Sequence, residues 1–393
     1  MDALSNITLD DISRYYKFAV DYGLVDVAVH PFDYADTLIR LGYEPFPPLE
    51  QSNLLRRKSL ALPSISSYVY YLYMIDGLSG CFKAVVPYVT GSLIYRHLGH
   101  YILDQSPFPQ TFPHGEPLIS DRFTSGNLGH FVQIRAWKLV ANVAAIHASH
   151  PFYVVAVRTM ARFVTKEGHG PSVQESWFSE LTRFREYHEF FDGCQARVIK
   201  EIMFTLISAG TFLVVMKAIQ AFKRVESLQS HTIEDISEYI ANSVATMYTN
   251  PFKNASDIMM INHTDIPLGN QPYNEHYDSC VDCIKRLRKD KRWKTSGSLF
   301  RRRFSGPLRE TTDGQLAPSD TFFGPAYVPR NVNDIPFFLK PYYDPVLSGG
   351  ADDARRRGSI ALAGVKALLS DRAPTTIPGI NFYYGTSPFR LAL

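Results

Sequence analysis

The stretches VAVHPFDYADTLIR (27–40), AIHASHPFYVVAVRTMARF (145–163) and TMYTNPFKNASDIMM (246–260) decide how this chain is read. Each carries Pro-Phe inside a run of otherwise helical character: Pro31-Phe32, Pro151-Phe152 and Pro251-Phe252. A proline inside a helix removes one backbone hydrogen bond and bends the helix, at a cost of about 3 kcal/mol or more in water. The copies lie about 120 and about 100 residues apart, a spacing that points to an internal repeat. Pro-Phe also occurs at Pro45, Pro107, Pro336 and Pro388 in turn-like surroundings, so the dipeptide alone is no signature. The segments downstream of each helical copy settle the matter.

The same order recurs outward from each kink. The first copy, helical from Tyr16 to Ile39, continues through LGYEPFPPLEQ (41–51) and the basic run Arg56-Arg57-Lys58. SSYVYYLYMIDG (66–77) then reads as a short amphipathic helix, GCFKAVVP (80–87) as a turn, and Pro87 to about Leu103 as a long helix. The second copy has a kinked helix over about Leu128 to Thr165, a loop KEGHGPS (166–172), a short helix SWFSELTRFREY (176–187) and a turn EFFDG (189–193). It ends in IMFTLISAGTFLVVMKAIQAF (202–222), which has the roughly 20 apolar residues that a bilayer core requires. The third copy has a kinked helix from about Ile236 to Ile261, a short helix CVDCIKRLRK (280–289) and a turn SLFRRRF (298–304). A last apolar helix should come after Phe304. Instead the chain turns polar and Pro-rich through to Leu393.

The expected organisation is therefore an N-terminal segment (1–14), a helical membrane domain (15–304) and a largely disordered tail (305–393). The repeats fall at about 15–104, 128–224 and 232–304. Five long helices and three short amphipathic ones make an all-α fold in which the sixth long helix is missing. A net charge of +3 gives no reason to expect nucleic acid. Four scattered cysteines are no disulfide framework, and Cys280-x-x-Cys283 lacks the second ligand pair of a zinc site. The N-terminal residues carry acids and no basic region, unlike a secretory or transit signal. The basic stretch from Lys285 to Arg303 suits a position beside anionic headgroups. No Ser-His-Asp or phosphate-loop arrangement appears, so neither an enzyme nor a cofactor is expected.

A soluble α-helical bundle competes with a membrane protein, because Asp21, Arg96, Arg158 and Glu238 would all suit water. The repeat favours lipid. Segments 130–165 and 202–222 are long and largely apolar, and their sister copies should share their surroundings. Prolines are tolerated in spanning helices. Ionisable residues embedded there face a bundle interior or a watery cavity.

The unit resembles that of the mitochondrial carrier family, whose odd helices bear Pro-x-[Asp/Glu]-x-x-[Lys/Arg] at the kink and whose even helices come after a Gly-rich aromatic turn. Pro31-Phe32-Asp33-Tyr34-Ala35-Asp36 and Asp76-Gly77-Leu78-Ser79-Gly80-Cys81-Phe82-Lys83 are decayed versions. The stretches LIRLGYEPFPP (38–48), LPSISSYVYYLYMIDG (62–77), HPFYVVAVRTMARFVTKE (150–167) and FFDGCQARVIKEI (190–202) look more like the mitochondrial carrier homologs of the outer membrane. The resemblance covers about 15–304. In transporting carriers the acid two residues after each proline pairs with the base five residues after the next copy's proline, and three such pairs close a gate. The corresponding residues here are Asp33, Tyr153 and Lys253, and Asp36, Ala156 and Ser256. Asp33 would face Ala156, Tyr153 would face Ser256, and Lys253 would face Asp36 as a single pair of swapped polarity. Three gating pairs cannot form.

The resemblance implies a multi-pass protein of the mitochondrial outer membrane. Without a sixth helix, the polar interior would open to lipid as a groove that passes the polar flanks of α-helical, tail-anchored clients. Apoptotic regulators are a further implied class of partner. The groove candidates are Asp21, Asp26, Arg96, Arg197, Lys200, Glu201 and Asn242, with Glu201 foremost. Glu201 could equally be a structural ion pair with Lys200 or Arg197. A solute carrier with a degenerate signature and a receptor scaffold remain alternatives.

Overall fold

Each kink proline sits inside an unbroken helix. In this computed structural model α1 spans Leu9–Arg40 through Pro31. The structure describes residues 9–44, 46, 48–52, 58–107, 125–163, 177–221, 230–264, 266, 277–289, 293, 295, 297–298, 302–304, 308–310, 316–318, 339–340 and 342. Of the other long helices, α3 spans Val85–Asp104, α4 Ser125–Ala161, α6 Cys194–Ala221 and α7 Ser230–Met260, with Pro151 inside α4 and Pro251 inside α7. Among the described residues five long helices are thus present, as expected. Among the described residues no long helix comes after α8, which spans Cys280–Lys289.

The short elements differ more from expectation. α1 begins at Leu9, inside the expected N-terminal segment; Asp10 and Asp11 are residue types that favour a helix start. α2 spans Ile65–Cys81 and does not stop at Gly77. It bends there, with Gly77 at φ 70 and ψ −171, a conformation essentially reserved for glycine. α5 is only Trp177–Leu181, and the rest of the expected helix becomes a loop and a 3-10 helix over Tyr187–Phe191. The expected third turn, 298–304, contains a short strand. Its Arg302–Arg303 form strand β3 against β2 (Lys58–Leu62), which also pairs with β1 (Leu49–Ser52). Within the tail, β4 (Leu308–Glu310) pairs with β5 (Leu316–Pro318), and Leu339 and Tyr342 are buried. The remainder of the tail lies outside the described residues.

The chain divides into two compact units. The first takes Met1–Val27, Val86–Ala156 and Phe184–Met260. Here α6 and α7 pack along their length, with Ala241 and Ala245 buried and Phe131, Phe212 and Met216 closing one end. The rings of Phe131 and Phe212 stack at 5.6 Å. Small residues let the backbones approach where lipid supplies no hydrophobic driving force. The second unit takes Ala28–Val85, Val157–Arg183 and Ile261–Leu393. Its core is aromatic: Tyr34, Tyr43, Phe46, Tyr68, Tyr71 and Phe163 are buried. Their rings meet edge to face, as the ring quadrupole favours, for example Phe46–Tyr71 at 5.1 Å and Tyr43–Phe163 at 5.9 Å. The buried hydroxyl of Tyr68 donates to the Tyr43 carbonyl at 2.8 Å.

Among the described residues two stretches are long and apolar enough to cross a membrane, Leu128–Ala161 and Tyr187–Ile219. Half of the first stretch's apolar window is covered by protein, but only 17% of the second's. α6, the main part of the second, leaves Ile202, Met203, Leu206 and Val214 exposed. A helix so apolar and so little covered belongs in hydrocarbon.

Candidate functional site

In the first unit, polar side chains on the long helices meet in pairs. Asp26 of α1 is buried and accepts a hydrogen bond from Arg96 Nη2 of α3 at 2.7 Å. The Arg96 guanidinium also lies 5.1 Å from the centre of the Tyr22 ring. Among the described residues the pair is incompletely satisfied: Asp26 Oδ2 and Arg96 Nη1 are buried and find no hydrogen-bond partner there. Each such atom costs about 1–3 kcal/mol, more when charged, so the pair is a poor device for stability alone.

Arg197, in the first turns of α6, stacks on the Tyr153 ring at 4.0 Å and lies 6.0 Å from that of Tyr95. Its Nη1 is likewise buried and finds no hydrogen-bond partner among the described residues. Tyr88 packs edge to face on Tyr153 at 5.7 Å. One turn beyond Arg197, Glu201 is buried and its Oε1 accepts from Asn142 Nδ2 of α4 at 2.7 Å. Further along, Ser208 Oγ donates to Asn242 Oδ1 of α7 at 2.7 Å. Arg135 Nη2 meets Glu238 Oε1 at 3.4 Å, and its guanidinium lies 5.2 Å from the Phe131 ring. The Lys200 ammonium is 5.8 Å from the Phe204 ring.

Six of the seven groove candidates are therefore placed in the first unit, and four of them engage a polar partner on another helix. The side chain of Asp21 lies outside the described residues. Glu201 accepts from Asn142, a donor that the sequence reading did not name. Sequence reading missed Asn142, Tyr95, Ser208 and Arg135. The one visible signal was a lone amide within the apolar stretch LVANVAAI.

The carrier-signature positions have taken other work. Tyr153 holds Arg197. Ser256 Oγ donates to the Gly193 carbonyl at 3.0 Å, fastening α7 to the turn before α6. Ala156 is fully buried. In the second unit the Asp36 carboxylate pairs with Arg40 and accepts from the Gly297 amide at 2.5 Å. The Asp33 carbonyl accepts from Thr37 Oγ1 at 2.8 Å, and Lys253 is exposed. The residues preceding two of the prolines share one role. His30 Nε2–H donates to the Lys83 carbonyl at 2.7 Å, and His150 Nε2–H to the Asp192 carbonyl at 2.8 Å. Among the described residues no cluster of His, Cys, Asp and Glu could hold a metal ion.

Proline-bearing long helices, stapled turns and two spanning stretches define a carrier-like helical membrane protein. No protein-family model matches the chain. It is similar to human mitochondrial carrier homolog 2, with 28% identity over 285 residues, covering 70% of this chain and 89% of that protein. The mouse protein of the same name is 26% identical over 281 residues. Mouse mitochondrial carrier homolog 1 is 24% identical over 295 residues, covering 70% of this chain and 74% of that protein. The chain is similar to the mitochondrial carrier homologs over most of its length and is a carrier-like mitochondrial membrane protein.

Proposed function

We propose that this protein is a multi-pass insertase or docking receptor of the outer mitochondrial membrane for α-helical, tail-anchored proteins. It makes and breaks no bond. The observation that carries the reading is the state of α7. It packs on α6, yet leaves Ile236, Tyr239, Ile240 and Met247 exposed, and among the described residues no later long helix covers them. Two hydroxyls on that stretch are satisfied within the helix: Ser243 Oγ donates to the Tyr239 carbonyl and Thr246 Oγ1 to that of Asn242, each at 2.8 Å. Such a face suits an apolar client helix. The Ser208–Asn242, Glu201–Asn142 and Asp26–Arg96 pairs supply polar groups at membrane depth, and these lower the cost of carrying a hydrophilic flank through hydrocarbon. Two of the three carrier gating pairs lack an opposite charge and the third has swapped polarity, which argues against alternating access to a solute.

The test is insertion of a tail-anchored client into liposomes containing the purified protein. Asp26→Arg sets two cations side by side, and Glu201→Arg takes the acceptor from Asn142; both should reduce insertion severalfold. The double exchange Asp26→Arg with Arg96→Asp should recover part of it. Unchanged insertion in both single variants refutes the assignment, and substrate-dependent solute flux in the same liposomes would favour a carrier.

A further inference from the structure

Where the repeat calls for a turn into a sixth long helix, the chain instead fastens itself to its own first copy, all within the second unit. The Ile65 amide donates to the Ser298 carbonyl at 2.8 Å, and the Gly297 amide to Asp36. β3 pairs antiparallel with β2, Leu62 opposite Arg302 and Ala61 opposite Arg303, and the Phe304 amide donates to the Leu60 carbonyl at 2.9 Å. Arg302 forks onto Glu44 at 2.6 and 2.8 Å, and its Nε donates to the Pro63 carbonyl at 2.9 Å. Both partners are sheltered, with side-chain exposures of 5% for Arg302 and 12% for Glu44. Two parallel charge-assisted bonds to one carboxylate fix direction as well as distance. Leu60, Leu62 and Phe304 form a small apolar cluster beneath. Farther on, buried Tyr342 lies 5.9 Å from Phe46, which itself packs on Tyr71.

We infer that residues 297–304, with Tyr342, form a clasp in place of the sixth helix, holding the start of the tail on the side of the bilayer that carries the hairpin of antiparallel β1 and β2. The inference rests on the multi-pass reading above. Four long helices (α3, α4, α6 and α7) separate the hairpin from the tail. If each crosses once, hairpin and tail return to the same side, in agreement with the contacts. Three crossings separate the end of α3 from the tail, which puts Asp104 on the opposite side.

Sidedness labelling of the full-length protein in sealed proteoliposomes tests this. The four native cysteines are buried, so single added cysteines at the exposed positions Tyr73 (α2), Asp104 and Lys340 report against a low background. With a membrane-impermeant maleimide, Tyr73→Cys and Lys340→Cys should label from one side and Asp104→Cys from the other. Labelling of Lys340→Cys from the side of Asp104→Cys overturns the inference. A second measurement addresses the clasp itself. Glu44→Gln should speed proteolytic removal of the tail about tenfold or more, and Glu44→Arg with Arg302→Glu should slow it again. An unchanged cleavage rate in Glu44→Gln refutes the clasp. Neither readout depends on client insertion, so loss of insertion with intact sidedness counts against the insertase and not against the clasp.

Discussion

Replacing Gly193 by alanine should be among the most damaging single-methyl changes in the chain. Gly193 sits in the turn before α6 with φ +79, where an L side chain costs about 1–2 kcal/mol. A Cβ there would also be driven into the backbone of Ser256, within 3.2 Å of its carbonyl carbon, 3.3 Å of its Cα and closer still to its oxygen. Helix backbone cannot swing aside as a flexible side chain can, so α7 must shift, and overpacking of this kind costs about 1–3 kcal/mol. The two terms together give about 2–5 kcal/mol, a large share of the roughly 5–15 kcal/mol that holds a typical domain folded. The shift also strains the Ser256–Gly193 hydrogen bond. Gly210 is the control: it lies inside α6 with nothing within 4 Å of an added Cβ. Gly210→Ala should be neutral or stabilise by about 0.5–1 kcal/mol through helix propensity. Thermal unfolding of both variants in the same detergent reads the difference. A Gly193→Ala melting temperature equal to wild type would refute the close approach of this turn to α7.

Three further outcomes concern the site and the cysteines. Glu201→Leu strands the Asn142 amide and should cost about 1–3 kcal/mol, whereas Glu201→Gln keeps an acceptor and should cost clearly less, as read by thermal unfolding. A double-mutant cycle between Arg197→Leu and Tyr153→Leu should show a coupling of about 0.5–2 kcal/mol, the range of a stacked cation; zero coupling would remove Tyr153 as the residue that positions Arg197. Burial pushes the Cys283 thiol up to about 12, the nearby Cys280 and Asp282 adding to it. A thiol reacts as the thiolate, so at pH 9 only about one molecule in a thousand is reactive at that site. Alkylation and then peptide mass spectrometry should find Cys283 unmodified in folded protein and fully modified after denaturation.

What the sequence disclosed and what it concealed divide along physical lines. The long helices were legible because each encodes itself locally, through apolar composition and a proline bracketed by helix-compatible residues. The β1–β2–β3 sheet was not, because β2 finds one of its partners some 240 residues away, and LEQS and KSLAL are very short runs beside a Pro-rich stretch. Arg302 read as one of a basic run, yet it is buried against Glu44, a pairing that no spacing rule anticipates. In the site, Asp26, Arg96 and Glu201 stood out as charges within apolar helices. Their partners were harder to see: an amide such as Asn142 or a ring such as Tyr153 is unremarked in sequence until folding brings it opposite a charge. The loss of the carrier gate was plain from Tyr153, Lys253, Asp36, Ala156 and Ser256. The tasks that Tyr153 and Ser256 took up instead were visible only in three dimensions.

The bonds from His30 to the Lys83 carbonyl and from His150 to the Asp192 carbonyl bear on the ancestry of the chain. Each runs from the residue before a kink proline to the turn that launches the next long helix. Because both ends lie within one copy, duplicating the segment duplicates the fastening intact, and each new copy arrives with its own joint already made. The third copy carries Asn250 in the histidine's place, and the chain beyond it lies down as a strand. The substitution falls in the copy after which, among the described residues, no further long helix follows. A lineage built this way can discard its outermost helix and leave every inherited joint upstream untouched.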